Sequence, residues 1–462
     1  PYLRKFGCYT VPDFIGARYG GNFARFCAVV ILLIASFTYV TAQITATGSI
    51  AQKALSTPAF PVSFEFGCWT GLTTILICSM LGGMRSVTWS QVAQYIVLII
   101  AYLIPVFWTA WKFNLGIFPH VMLGDEVTRL AALEQQYGLV KHSKDVLDAA
   151  KIPNDALGNA TALKYIVAGH SAVPAGHEVA WRYISLALCM MIGTASLPHI
   201  LMRYFTTPTV TSARRSVGWS LFFIGLLYLT APMLATVSKI SLMDPNLPTA
   251  IIGKKISDVM QIEWVKNWIA VGQVRIVDFN NDGILQLNEW FMNEDVVVLA
   301  TPEVAGLPYV ISGLVAAGGL AAAMSTADGL ILAMANAISH DIYYKMIDPK
   351  ASVKARLIVA RVLLVILGSL ACIMATLKLT GILGAVAWAF DFAMSGLFFP
   401  LVLGVWWKRA TRSGAIAGMI LGLTAGFAYL IWVGVPNKDI TFFMGATPWK
   451  DIHWLFVRSE EH

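Results

Sequence analysis

Apolar residues in this chain come in long blocks, without the alternation expected of water-facing helices or strands. The stretches 26–52, 66–84, 86–111, 183–202, 216–238, 304–327 and 413–437 contain no Asp, Glu, Lys or Arg. Each has about the ~20 residues that cross a hydrocarbon core as a helix. Two more blocks carry one charge each: 357–377, broken by Arg361, and 382–407, broken by Asp391. The 304–327 run continues through Asp328 to His340. The pattern predicts nine membrane helices, at 22–50, 66–83, 90–111, 183–202, 216–238, 306–340, 357–378, 382–406 and 412–434.

Composition agrees. Of 462 residues, 57% are hydrophobic and 13% charged, with a mean hydropathy of +0.67. Soluble domains are about 25% charged, so this chain cannot cover a water-facing surface of its size. The expectation is an all-α polytopic membrane protein resident in the lipid bilayer of a bacterial inner or plasma membrane. A soluble enzyme, a nucleic-acid binder and a secreted disulfide scaffold are excluded. The net charge of +7 then reflects topology, not an anionic partner.

Alternate connections hold sixteen basic residues, among them Arg4, Arg18, Arg214, Lys354 and Arg409, whereas the short connections opposite hold only Lys53 and Lys378. The positive-inside rule makes the basic side cytoplasmic, with residues 1–21 a cytoplasmic loop. Segments 112–182 and 239–305 and the tail 436–462 then lie on the outer face. The six cysteines lack metal-binding spacing and read as small apolar packing residues.

Residues 278–289 match an EF-hand loop at positions 1, 3, 5, 6 and 12. Calcium takes six to eight hard oxygens. Asp278, Asn280 and Asp282 would give side-chain oxygens and Ile284 its carbonyl. Gln286 would act directly or through water, Glu289 would close the shell with both oxygens, and Gly283 permits the turn. The alternative is a polar Asn-Asp-Gly surface turn. A structural clamp on the 239–305 segment fits better than a calcium sensor, since a second hand is not evident.

Three stretches carry family information. They are Lys5-Phe-Gly-Cys-Tyr9-Thr-Val-Pro12-Asp13-Phe with Ala17-Arg18-Tyr19-Gly, then Leu197-Pro198-His199-Ile-Leu-Met-Arg203, and finally Ser339-His340-Asp341-Ile-Tyr343 with Trp407-Lys408-Arg409-Ala-Thr-Arg-Ser-Gly414. Over essentially the whole chain the sequence resembles the sodium:solute symporter family, in particular its acetate-permease-like branch. The resemblance implies a LeuT-like bundle of inverted five-helix repeats. It also implies that the chain is a piece of a longer protein, without the broken first core helix and a final helix.

In sodium-coupled members the eighth core helix supplies cation ligands. The matching positions here are Ala322, Ser325 and Thr326. They stand at i, i+3 and i+4, so one face presents a carbonyl and two hydroxyls. The plain alternative is that such hydroxyls bond back to the preceding turn. Several sodium-coupled relatives also carry an aspartate where this chain has Gln91, which counts against a second sodium site and coupling by two sodium ions.

Asp328 and Asp391 lie inside spans, where an acid is a functional candidate by default. A second cation site, a proton relay and a structural hydrogen bond are all open for Asp328. Pro198 removes a helical donor, so Gly193, Thr194 and Ser196 precede either a locally opened helix beside a cavity or a simple kink. Gln43 is a further pocket candidate, while His199 and Arg203 are expected to gate or anchor.

These readings point to a cation-coupled secondary transporter importing a small organic solute, a short monocarboxylate such as acetate, with Na⁺. The alternatives are a symporter-like sensor module of a signalling protein and an intramembrane enzyme; no paired His/Asp or Ser/His constellation at membrane depth supports the latter.

Overall fold

A computed structural model describes residues 2–56, 62–113, 119–136, 177–278, 281–378 and 381–434. Inside a bilayer each backbone N–H and C=O must be paired within its own segment, which makes the apolar blocks helices. Helix α1 (Val11–Tyr19) opens with the Thr10 hydroxyl accepting the Asp13 N–H at 3.0 Å and ends at Gly20. After it come α2 (Asn22–Leu55), α3 (Phe64–Met80) and α4 (Ser86–Lys112), the last two joined through Gly83 at φ +56°. The cap helix α5 (Leu123–Gln136) precedes α6 (His177–Ser196), α7 (Pro198–Thr206) and α8 (Val210–Met243). A small cap follows, made of α9 (Glu263–Ala270), β1 (Val274–Ile276), β2 (Trp290–Met292) and α10 (Val297–Val304). The chain returns to the bundle with α11 (Tyr309–Asn336), α12 (Val353–Thr376), α13 (Ile382–Ala393), α14 (Phe399–Trp406) and α15 (Arg412–Gly434). Wide π-type turns extend α11 over Ala337–Ile347 and join α13 to α14 over Met394–Phe398.

Seven of these helices or helix pairs are long and apolar enough to cross a membrane, and the shorter Phe64–Met80 and Arg412–Ala428 complete the expected nine. Polar residues ride inside without disrupting the helices. On α2, the hydroxyls of Thr38, Thr41, Thr45 and Thr47 each donate to the carbonyl four residues back, at 2.9–3.0 Å. Between α2 and α3 small residues set the spacing: a Cβ on Gly67 would lie 2.7 Å from the Gly48 carbonyl. The central apolar core joins α2, α3, α11 and α12 around Leu72, Leu330, Ile331 and Cys372.

The two ends of the bundle differ. At one end the Arg18 guanidinium donates to the Gly404 and Trp407 carbonyls at 2.9 and 3.1 Å, and Tyr2 packs on Trp406. This end carries the basic connections. At the other end the 239–305 segment, expected as an outer-face excursion, is a folded cap whose Trp268, Leu285 and Trp290 share a core with Leu130 of α5. Its β1–β2 ribbon is antiparallel, with Arg275 opposite Phe291. The segment 137–176 and the tail 436–462 lie outside the described residues.

Candidate functional site

Helix α11 packs against α2, α4 and the C-terminal half of the α6–α7 pair, which places its polar face inside the bundle. The Ser325 and Thr326 hydroxyls both donate to the Ala322 carbonyl, at 2.8 and 3.3 Å. Three neutral oxygens therefore converge on one helical face, as the i, i+3, i+4 spacing predicts. The back-bonding is also the plain structural arrangement foreseen for such residues. Both side chains are half-buried, neither fully exposed nor sealed in the core. The Ser325 carbonyl is already engaged: Gln91 Nε2 on α4 donates to it at 2.6 Å. Sequence reading identified Gln91 as a departure from relatives but could not supply that bond.

Asp328, one turn further on, is 1% exposed. The Ser79 hydroxyl donates to its Oδ1, while Oδ2 is buried without a partner. Arg203 on α7 lies within electrostatic range, donates to Thr88 Oγ1 at 3.2 Å, and packs over Gly329, where an added Cβ would come within 3.1 Å of Nη2. Asp328 thus belongs to a polar network joining α3, α4, α7 and α11. Ser79 was not singled out in the sequence, because a lone serine in an apolar run carries no signal.

The α6–α7 span is broken, not merely kinked. Leu197 has extended backbone (φ −65°, ψ 119°) between Ser196 and Pro198. The Thr194 carbonyl, which Pro198 cannot serve, accepts instead from the Leu197 N–H at 3.4 Å. The Thr194 and Ser196 hydroxyls bond back to the Met190 and Ile192 carbonyls. Gly193 is a close-approach residue: its missing Cβ would sit 2.7 Å from the Phe390 carbonyl on α13. Around the break, Tyr39 meets both His199 and Phe390 edge-on, with centroids 5.7 and 5.6 Å apart. Asp391 follows Phe390 and is 5% exposed. Gln43 is half-buried on α2, and its carbonyl accepts the Thr47 hydroxyl at 2.9 Å.

The EF-hand-like loop is the connection of the β1–β2 ribbon, so no helices flank it. Asp278 Oδ2 accepts the Gly283 N–H at 3.0 Å, and Asp282 Oδ1 accepts the Ile284 N–H at 2.7 Å. Gln286 Nε2 donates to Asp282 Oδ2 at 2.7 Å, and its backbone N–H donates to Glu289 Oε2 at 2.9 Å. Glu289 is fully buried, and Asp278 Oδ1 is shielded without a hydrogen-bond partner. Leu285 is pinned to the cap by its N–H to the Lys254 carbonyl and its carbonyl to the Gly253 N–H, each 2.8 Å. Gly283 has φ +70°, the conformation its position in the motif requires. Asn280 lies outside the described residues. The carboxylates on the loop are hard-oxygen donors suited to calcium.

At the basic end the family motifs meet one another. Asp341 Oδ2 accepts the Thr10 hydroxyl at 2.6 Å, and its Oδ1 is 3.1 Å from His340 Nδ1. Tyr9 stacks on His340, and Asp13 pairs with Arg25 at 3.4 Å. Burial, reinforced by Asp13 and Asp341, pushes the neighbouring Cys8 thiol up to about 12.

A membrane bundle with a mid-span helix break, and a separate helix that gathers neutral oxygens, is the architecture expected of a secondary transporter. The chain belongs to the sodium:solute symporter family, whose pattern it matches over residues 1–269 and 292–422. The interval between those stretches holds β1 and the 278–289 loop. The chain is 38% identical to an uncharacterised symporter of Cupriavidus necator, over 93% of its own length and 72% of that protein's. It is 26% identical to a monocarboxylic acid transporter of Corynebacterium glutamicum, over 96% of its length and 70% of the relative's. In three dimensions it resembles a Na⁺-coupled sialic acid symporter solved substrate-bound and outward-open, with a TM-score of 0.54 and 14% identity, over 93% of this chain and 72% of that one. The fold is LeuT-like, and the protein is a transporter, not an enzyme.

Proposed function

We propose that this protein couples the inward movement of Na⁺ to the import of a short monocarboxylate, with its basic end in the cytoplasm. The observation that carries the reading is the convergence of the Ala322 carbonyl with the Ser325 and Thr326 hydroxyls inside the bundle. Neutral oxygens suit a monovalent ion that must be held and then released. In the ion-bound state the two hydroxyl lone pairs would turn to Na⁺ and the Ala322 carbonyl would share it. The monocarboxylate assignment draws support from the Corynebacterium relative. The break at Leu197 places the N-terminal end of α7 inside the span, and the positive end of a helix dipole can hold a carboxylate without a fixed positive charge. Gly193, Thr194, Ser196 and Gln43 line or flank this region in the proposal.

The test is uptake of labelled acetate, propionate and pyruvate into proteoliposomes holding the full-length protein. Loss of one ligand to an ion is worth about 1.5–3 kcal/mol. Ser325→Ala and Thr326→Ala should therefore each raise the sodium concentration for half-maximal uptake roughly ten- to a hundredfold. Unchanged sodium dependence in both variants refutes the assignment.

The 278–289 loop is proposed as a calcium site that braces the cap on the outer face, held by Asp278, Asn280, Asp282, Ile284, Gln286 and Glu289. It is supported by the position-by-position agreement of the motif with the Asp278–Gly283 bond, the buried Glu289 and the spare Asp278 oxygen. Outside a cell an affinity of about 10⁻⁴–10⁻³ M would suffice. Terbium luminescence sensitised by Trp290 should appear on titration and vanish in Asp278→Ala; a signal that persists in the variant removes the site.

A further inference from the structure

The bundle treats its two acids differently. Asp328 is answered by the Ser79 hydroxyl and by the charge of Arg203. Asp391 has no such answer. It is 5% exposed, its Oδ1 is buried without a hydrogen-bond partner, and among the described residues no Lys, Arg or His forms an ion pair with it.

The side chains that surround Asp391 and its two helical neighbours, Phe390 and Phe392, carry no fixed charge among the described residues. From α6 comes Cys189, which lies within electrostatic range of Asp391 and places its thiol against the Ala387 carbonyl. From α2 comes Tyr39, edge-on to the adjacent Phe390, with His199 of α7 on another side of the Tyr39 ring. From α15 comes Phe427, stacked on Phe392 at 4.7 Å. A bare carboxylate in such surroundings has lost its hydration and gained no counter-charge, a state that low-dielectric interiors do not sustain. Its neutralising charge must come from outside the fixed structure.

Two further features mark the place as functional. Asp391 is the tenth residue of the Ile382–Trp406 span, about 14 Å along the helix and therefore near mid-membrane. It stands three residues before the π-type turn at Met394–Phe398, and such widened turns cluster at functional sites. The helix break at Leu197 belongs to the same apolar cluster as Phe390 and Phe392.

We propose that Asp391 is the binding point of a second monovalent cation, a proton or a sodium ion, carried across together with the solute. The inference rests on the transporter reading above but not on the Ala322–Ser325–Thr326 face. Its site lies on α13, away from Gln91, so it does not restore the second sodium position that Gln91 removes.

Asp391→Asn keeps the size and acceptor oxygen of the side chain and removes its charge. In proteoliposomes of full-length protein, wild type and variant are compared for sodium cooperativity at fixed pH and for solute accumulation driven by an inward pH gradient. If the cation is sodium, the Hill coefficient should fall from about 2 to about 1 in the variant. If it is a proton, the variant should lose the pH-driven accumulation, about tenfold per pH unit, and keep its sodium dependence. A variant matching wild type in both measurements overturns the proposal and leaves the transporter reading standing. Wild-type protein that shows no gradient-driven uptake defeats both. Should Asp391→Asn fail to fold, wild-type protein treated with dicyclohexylcarbodiimide gives the answer. Labelling at Asp391 that sodium or rising pH suppresses supports the site. No label there, or a label indifferent to both, refutes it.

Discussion

Gly193→Ala separates a packing role from a substrate role for a residue that the sequence offered as a pocket candidate. The added Cβ would stand 2.7 Å from both the Cβ and the carbonyl oxygen of Phe390, and 3.0 Å from its Cα. Comfortable separation of such atoms is about 3.5–4.0 Å, so α6 and α13 would have to part by the better part of an ångström. Overpacking of this kind costs about 1–3 kcal/mol, and the upper end applies because the obstacle is backbone. Against it stands about 1 kcal/mol gained by placing alanine, not glycine, inside a helix. The net loss is about 2 kcal/mol, or roughly thirtyfold in the folded-to-unfolded ratio. Gly225→Ala is the matched control, since its Cβ would meet nothing within 4 Å on α8. Thermal unfolding in detergent, read as the monodisperse fraction on size exclusion, should rank Gly225→Ala at or above wild type and Gly193→Ala well below. Phe390→Ala should not rescue Gly193→Ala, because alanine retains all three obstructing atoms. A Gly193→Ala protein as stable as the Gly225→Ala control would refute the close approach of α6 and α13.

Two further predictions concern the ends of the bundle. Burial pushes the Asp295 carboxyl up, and the Ile382 N–H it accepts at 3.2 Å pulls it only part of the way back. The folded state therefore holds this proton more tightly than the unfolded one. Its contribution to stability is full below the ordinary aspartate value of about 3.9 and is lost as pH rises through the folded value. Asp295→Asn keeps the acceptor and removes that loss, so its melting temperature should exceed the wild-type value by a margin that grows from pH 4 to pH 7; a constant margin sinks the argument. At the opposite end Cys8 is half-buried, with its thiol near 12. At pH 8 about one molecule in ten thousand would carry the thiolate, so maleimide labelling at Cys8, followed by mass spectrometry, should be far slower than for a free cysteine. Prompt labelling would contradict the burial of Cys8 and, after it, the arrangement of Asp13 and Asp341 around it.

Charge-free blocks such as 26–52 were enough to place the helices, because a bilayer imposes one solution on an apolar segment of that length. A disturbance at Pro198 was legible for a similarly local reason, since proline removes a donor whatever surrounds it, but whether the helix opened or only kinked was not. What stayed hidden depends on partners distant in sequence. The Gln91 amide reaches Ser325 across 234 positions, and Thr10 reaches Asp341 across 331. The cap was hidden for another reason. The 239–305 segment has neither a long apolar block nor a clean period, and its core forms only when Leu130 of α5 joins Trp268 and Trp290. The EF-hand-like motif was legible as twelve residues, but its hairpin setting was not, since the short strands on either side carry no strand signature of their own.

The helix that gathers the neutral oxygens is fastened far from them. At the basic end Asp341 accepts from Thr10, which in turn caps α1. At the cap end α10 turns directly into α11 at Gly306, and Lys112 of α4 donates to the Ala305 carbonyl in that turn. Glu303 of α10 accepts the Trp268 indole N–H at 2.6 Å and lies 3.9 Å from Lys53 on α2. The α2 and α11 ends are thus tied through one carboxylate, whereas α13 meets the cap through the Asp295–Ile382 bond. An alternating-access cycle needs elements that move relative to one another, and discrete polar ties of this kind can exchange where a continuous apolar interface would resist. The α2–α11 pair shares the large central core and the Glu303 tie, and α13 packs on the same α2 through a second apolar cluster of Ala35, Phe390 and Phe392. In the proposed cycle a cation at Asp391 would act where that α2–α13 packing meets the break at Leu197, so that neutralising the acid bears on an interface already interrupted on one side.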